Sequence, residues 1–514
     1  MLVGLRQSVW KAATAFPCSR NALWVLAKTR SKKHMRLLRF VLGLAFILSI
    51  GGGVVAAQED ESFDGVWWND LLGIVIEIDG TKVTIWQAEG NTCYLNGQLD
   101  LDGSRLLSEG IEIYTLELNA GELVVLEQGS PLISLTTAEN REAICTETAE
   151  MTLDLPDTPI TTQAEFDGLV NEILAQAHIP GVGLALVAPG KVLWTGGYGF
   201  SNVEAGIPVT SDTPFMLASV TKTFTGTAVM RAVQEGKLTL DTPLNDVLPF
   251  AVDNPHVEGE VITVRHLVTH TSGILDAYPT YTDLYTPGDS PIELGEFLAG
   301  YLVEGGQWYS ADDNFAPRNP GVTSEYSNVG AALAGYIVQQ VTNMPLDDYA
   351  QDFLFGPLGM THTGWHLADF ADLSPIAVPY NDGEPMEHFG YPTWPDGQLR
   401  ASPSDIARFL AAIMNGGELD GVRILDEVTV ETMLQPALPE ATSDIGVFWF
   451  LNYPEEGAIG HSGGDPGVNT WMFFNPETEL GVVVLFNCDC ALAQNAMEAL
   501  ANMMTTHIDL LTDQ

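Results

Sequence analysis

Positive charge is what this sequence has least of. Its 514 residues hold 21 Lys and Arg against 67 Asp and Glu, a formal net charge of −46. Residues 1–57 contain nine of those basic residues and no acidic one, so the rest of the chain keeps 12 against 67, a formal −55. Such a surface repels nucleic acid and anionic lipid, and no nucleic-acid partner is expected. Cysteine is also scarce, with Cys93, Cys145, Cys488 and Cys490 the four beyond residue 57. None has zinc-site spacing, so no metal is expected. In an oxidising compartment Cys93–Cys145 could staple the N-terminal region, whereas Cys488-Asp489-Cys490 is too close-spaced for an ordinary bridge; buried thiols are the alternative for both pairs. Repeats and low-complexity stretches are missing, which excludes solenoid and disordered architectures.

Long apolar runs are missing too, apart from Phe40–Val55. A basic lead (Arg36, Arg39), that run, and small residues at Val55 and Ala57 before Gln58 have the form of a secretory signal. Met35 is then the natural start, with 1–34 a mis-called extension, and no Leu-x-x-Cys lipobox follows. The protein is expected to be exported, to a periplasmic or extracellular location. If the signal stays uncleaved, that segment is the only membrane contact.

Four segments follow: 1–57, extension and signal; 58–152, a small all-β module; 153–162, a linker; 163–514, the main domain. In the module, Ile74–Ile78 and Val83–Trp86 flank Asp79-Gly80, a turn that hairpins favour. Ile111–Leu118 and Leu123–Leu126 repeat the pattern. Phe166, Leu169, Val170, Ile173 and Leu174 then show helical spacing, and a hairpin (Val182–Val187, Val192–Tyr198) follows. The stretch 215–440 is mostly helical, Val447–Leu451, Ala458–His461, Thr470–Phe474 and Val482–Phe486 are strands, and a final helix runs from about Leu492 to Leu510. Strands at both ends with helices between predict an α+β fold: one antiparallel sheet flanked by helices, with an inserted, mainly helical subdomain.

The chemistry centres on Ala218-Ser219-Val220-Thr221-Lys222, which opens a helix. A serine hydroxyl needs a base to become nucleophilic, and a lysine three residues on lies one turn along the same face. A serine at a helix start also sits where backbone N–H groups favour an oxyanion. Alone, the pattern reads equally as an N-cap serine and a solvated lysine, although Val220 and Phe224 suggest that Lys222 is buried.

Two further motifs occur in order. Tyr326-Ser327-Asn328 precedes a helix (Val329–Val341), and His461-Ser462-Gly463-Gly464 lies on a C-terminal strand. With His266-Leu-Val-Thr-His-Thr-Ser-Gly273, these resemble the serine β-lactamase and penicillin-binding-protein superfamily, in its class C and D-alanyl-D-alanine carboxypeptidase branch, over about 163–511. The resemblance implies that Ser219 forms an acyl-enzyme and that Lys222 and Tyr326 share the proton transfers. It implies that Asn328 binds substrate, that the N–H groups of Ser219 and Gly464 form the oxyanion hole, and that no cofactor is needed. Substrates would be small molecules or peptides, including cell-wall peptides. The third motif usually begins with Lys in β-lactamases; His461 supplies a hydrogen bond where Lys supplies a fixed cation. Esters and D-amino-acid amide or peptide bonds are therefore favoured. The alternatives are a true class C-like β-lactamase and a penicillin-binding sensor or adaptor without turnover.

Three other signals carry less. Gly460–Gly464 also fits Gly-x-Ser-x-Gly, but a strand follows where that motif needs a helix. His266 and His270 have i, i+4 spacing but no third ligand. Trp67, Trp68 and Trp86 are better explained by core packing than by a sugar platform.

Overall fold

Alternating apolar residues build the first unit. Ile74/Ile76/Ile78, Val83/Ile85, Leu99/Leu101 and Leu123/Val125 are all buried, and each set shares one face of a strand. The computed structural model describes residues 63–512, except Pro279, Asp382 and short stretches between 64 and 158. The signal-like segment and Cys145 lie outside the described residues. Strands β1 (Gly65–Asn69), β2 (Ile74–Asp79), β3 (Lys82–Glu89), β4 (Thr92–Asp102), β5 (Arg105–Ser108), β6 (Ile111–Asn119), β7 (Glu122–Glu127) and β8 (Ser130–Ala138) each pair antiparallel with the next. β8 returns to β1, closing an eight-stranded barrel. β9 (Glu147–Glu150) adds parallel to β4. Closure leaves none of the eight strands as an open edge.

The first hairpin turn differs by one residue from expectation. Asp79 pairs with Lys82, and the loop is Gly80-Thr81. Gly80 has φ +59, which a glycine adopts without steric cost. Trp67 faces inward with its indole N–H on Phe63 O at 2.9 Å, while half-buried Trp68 and Trp86 pack on Val75. The tryptophans are packing residues.

After β9 the described residues as far as Thr162 form neither strand nor helix, yet they are fastened down. Leu153, Leu155 and Ile160 pack on the main domain, and Asp154 N–H donates to Gln176 Oε1 at 2.8 Å. Thr162 and Glu165 form a capping box that starts α1 (Gln163–Gln176).

The second sheet joins the two ends of the main domain, as expected. β10 (Gly181–Ala188), β11 (Lys191–Asn202) and β12 (Ile207–Pro208) come from one end. β13 (Phe450–Leu451), β14 (Ile459–Asp465), β15 (Val468–Asn475) and β16 (Leu480–Phe486) come from the other. The order is β12-β11-β10-β16-β15-β14-β13, antiparallel throughout. Between them lie α2 (Thr221–Gln234), α3 (Asn328–Thr342) and α4 (Pro403–Met414); α5 (Ala493–Thr506) follows, with a short helix, Ile508–Thr512, behind it. Both faces of the sheet are covered. Val182, Leu184 and Leu186 of β10 meet the core of α1 and α5, and Ala185 and Val187 meet that of α2, α3 and α4.

One expectation is corrected. Cys488 and Cys490 are joined by a disulfide, with their Cα atoms 5.4 Å apart. That separation falls within the 4.4–6.8 Å that a bridge spans, so the close spacing is no bar.

Candidate active site

Ser219 sits on a turn wedged between the sheet and the helical region. Met216 pairs with Arg400, and Leu217 N–H donates to Leu399 O at 2.8 Å. Ala218 then takes φ +46, a left-handed conformation costing a non-glycine residue about 1–2 kcal/mol. Ser219 lies within a 3₁₀ turn, Ala218–Val220, that runs into α2. It is not the N-cap: that position belongs to Val220, which makes no side-chain cap bond. The capping explanation of Ser219 therefore falls away.

β14 packs directly under this turn. A Cβ at Gly463 would stand 2.3 Å from Leu217 O, 2.4 Å from Thr470 Oγ1 and 3.0 Å from Ser219 N, so only glycine fits. Thr470 Oγ1 donates to Leu217 O at 2.6 Å and ties β15 to the same turn. Gly464, next along β14, is exposed. Gly460–Gly464 lies wholly on this strand, so it forms no nucleophile elbow.

Lys222 is fully buried. Its Nζ donates to Ser219 Oγ at 3.1 Å, Asn328 Oδ1 at 2.6 Å and Asp396 O at 2.8 Å, and stands 4.8 Å from the centre of the Tyr326 ring. Burial lowers its pKa to about 8, against the pull of Asp396, Asp276 and Asp465. An amine so placed exists partly unprotonated near neutrality and can accept the proton of Ser219.

Tyr326 and Asn328 enter from the start of α3. Ser327 caps that helix, accepting from Gly330 N at 2.8 Å. Asp276 lies beneath, accepting from Asn328 N (2.8 Å), Val329 N (2.9 Å) and Ser327 Oγ (3.3 Å). His270 stacks on Tyr326 with ring centres 4.3 Å apart, and its Nδ1 accepts from Ser327 N at 3.1 Å. His266 instead accepts from Thr263 N, so the two histidines serve separate turns. Burial raises the Tyr326 pKa well above the phenol value, and a hydrogen bond with Ser219 opposes that shift. Ser219, Lys222, Tyr326 and Asn328 thus converge.

His461 lies beside them, its ring centre 6.3 Å from that of Tyr326. Burial and the Lys222 charge lower its pKa to about 3, so it is neutral near pH 7.

Sequence reasoning missed two acids, buried Asp396 and half-buried Asp465. Asp396 Oδ2 accepts from Tyr281 OH at 3.0 Å, and Asp465 accepts from Tyr285 OH and Tyr391 OH, each at 3.0 Å. Burial raises both carboxyls to about 7, with Lys222 opposing. No local pattern marks them, because their partners lie 74 to 180 residues away in sequence.

A serine held by an amine one helical turn along defines a class, the serine hydrolases of the β-lactamase and penicillin-binding type. The comparisons say the same. The chain belongs to the β-lactamase family, whose profile, described as "Beta-lactamase", matches residues 166–501. Protein flp of Staphylococcus aureus is 24% identical over 358 residues, covering 67% of this chain and 67% of that protein. Penicillin-binding protein 4 of Amycolatopsis lactamdurans is 31% identical over 291 residues, covering 53% and 68%. The octameric penicillin-binding protein homologue from Pyrococcus abyssi superposes with a TM-score of 0.53 at 26% identity, covering 68% of this chain and 78% of that one.

Proposed function

We propose that this protein is an exported hydrolase that acylates Ser219 and cleaves esters or amide and peptide bonds of D-amino acids. One observation carries the reading: a fully buried lysine, with its pKa lowered to about 8, lies 3.1 Å from the serine hydroxyl. Lys222 and Tyr326 exchange the proton of Ser219 and pass it to the leaving group; the two share it as a coupled pair. Asn328 orients substrate, and the N–H groups of Ser219 and Gly464 hold the oxyanion, where one donor is typically worth about 10²–10³ in rate. The export step rests on the signal-like Arg36–Gln58 segment alone.

Neutral His461 argues for esters and peptides over β-lactams, since it gives no fixed cation for a β-lactam carboxylate. Intact mass after brief exposure to a penicillin, and separately to an aryl ester, tests the reading beside Ser219→Ala. The expected result is a transient acyl adduct from the ester on wild type and none on Ser219→Ala. Ester turnover retained by Ser219→Ala would overturn the mechanism. A penicillin adduct hydrolysed quickly would instead favour the β-lactamase reading, and a permanent one the sensor.

A further inference from the structure

The strand under Ser219 carries more chemistry than acylation uses. Alternate side chains of a strand share a face, so His461, Gly463 and Asp465 point from β14 to one side. Gly463 identifies that side, because a Cβ there would lie 3.0 Å from Ser219 N. The β14–β15 register has no bulge over these residues. His461 and Asp465 therefore flank the serine along the strand, each about 7 Å from Gly463 at two residues' rise.

The two flanks are opposite in character. His461 is 1% exposed, and its Nε2 has no hydrogen-bond partner among the described residues. It lies beside Tyr326, the group that passes the proton to the leaving group, so the leaving group lies on that side. The acyl portion then extends toward Asp465. The Asp465 carboxylate accepts one O–H on each oxygen, from Tyr285 and Tyr391, and each oxygen keeps a further acceptor position. The rings of Tyr285 and Tyr391 lie 4.6 Å apart, with Phe389 5.5 Å from Tyr285. A carboxylate rimmed by aromatic rings suits an ammonium group. Neighbouring cations are already engaged: Lys222 as described, and Arg400 on the carbonyls of Trp365, Gln398 and Phe389. A cavity of about 690 Å³ that Tyr391 also lines carries Glu293, Glu296 and Asp347 and no Lys or Arg.

We infer that Asp465, with Tyr285 and Tyr391, determines specificity by binding a protonated amine on the acyl portion of the substrate. The substrate class is then amino-acyl esters and amides with a free amino group. The assignment rests on Ser219 as the attacking group, and the experiment separates the two claims. 3-(Aminomethyl)phenylboronic acid and 3-ethylphenylboronic acid match in size and differ in charge. Boronic acids add reversibly to nucleophilic serines, placing the aryl group where the acyl portion sits.

The expected result is that the ammonium compound inhibits wild-type enzyme about 10- to 100-fold more tightly, as a charge-assisted hydrogen bond allows, and that Asp465→Asn closes most of that gap. Equal inhibition of wild type by both compounds overturns the subsite and leaves the nucleophile standing. A gap that survives in Asp465→Asn overturns the part given to Asp465. Inhibition by neither compound overturns the Ser219 reading and the subsite with it. The wild-type comparison decides the matter even if Asp465→Asn fails to fold.

Discussion

The barrel and the hydrolase centre bury opposite kinds of residue. Fully buried positions described in the barrel are Val75, Val83, Leu116, Leu123 and Leu135, all apolar. The hydrolase centre buries Lys222, Asp276, Asp396, His270 and His461 around the Ser219–Lys222 pair. Apolar burial is favourable by about 25 cal/mol per Å², whereas a buried charge costs several kcal/mol before its partners repay it. The hydrolase domain carries that cost within two large apolar clusters, and what it gains is a set of displaced pKa values: Lys222 brought down to about 8, Asp396 and Asp465 up to about 7, His461 down to about 3.

The sharpest way to break this comparison is to make the centre resemble the barrel. Lys222→Met keeps the length of the side chain and removes the charge. Turnover of an aryl ester should fall about 10²- to 10⁴-fold, the usual worth of an acid–base group. The wild-type pH profile gives the complementary reading. A lysine that must lose its proton before accepting one makes kcat/KM climb with pH and level off above about 8. A profile already flat below pH 7 would remove Lys222 from the base role.

Asp276→Asn should have a smaller effect. Asp276 holds the first turn of α3 and is one of the charges that help Lys222 keep its proton. The asparagine keeps the shape but offers one acceptor oxygen where two were used. About 1–3 kcal/mol of stability should be lost, as for a buried donor left unpaired. Asp276 is a positioning residue, and a purely structural role would lower stability without moving the pH profile. Here the midpoint of the profile should shift to lower pH, because losing a nearby negative charge makes the ammonium easier to deprotonate.

The same contrast explains how much was legible in advance. Periodicity marked four of the eight barrel strands, β2, β3, β6 and β7, and both halves of the second sheet, since alternation and apolar runs follow directly from which faces are covered. The local motifs around Ser219, Tyr326 and His461 were legible because their residues are consecutive on one element. The supporting acids were not. Asp276 acts on residues 51 to 53 positions downstream, and Asp465 on tyrosines 180 and 74 positions upstream, so only folding brings them together. The Ser219 turn was ambiguous for a different reason: a serine before a helix looks like a cap as well as a nucleophile, and nothing local announces that Ala218 will turn left-handed. Charge composition spoke of the surface and nothing of the five or six buried groups that set the chemistry.

Leu116→Ala should have the smallest effect on activity, and it tests the other side of the comparison. Leu116, fully buried in β6, lies in a barrel whose strands pair with one another and with β9 alone. Truncating a buried leucine typically costs about 2–5 kcal/mol, through lost transfer energy and the cavity left behind. If the barrel is held by its own apolar interior, that loss should show as a lower unfolding midpoint for one transition in calorimetry. The esterase kcat and KM should then stay within about twofold of wild type, as for sites that share no partners. A parallel loss of kcat would mean that the barrel helps to hold the acylation site in shape. The division into an apolar unit that only needs to be stable and a polar unit that spends stability on chemistry would then be wrong.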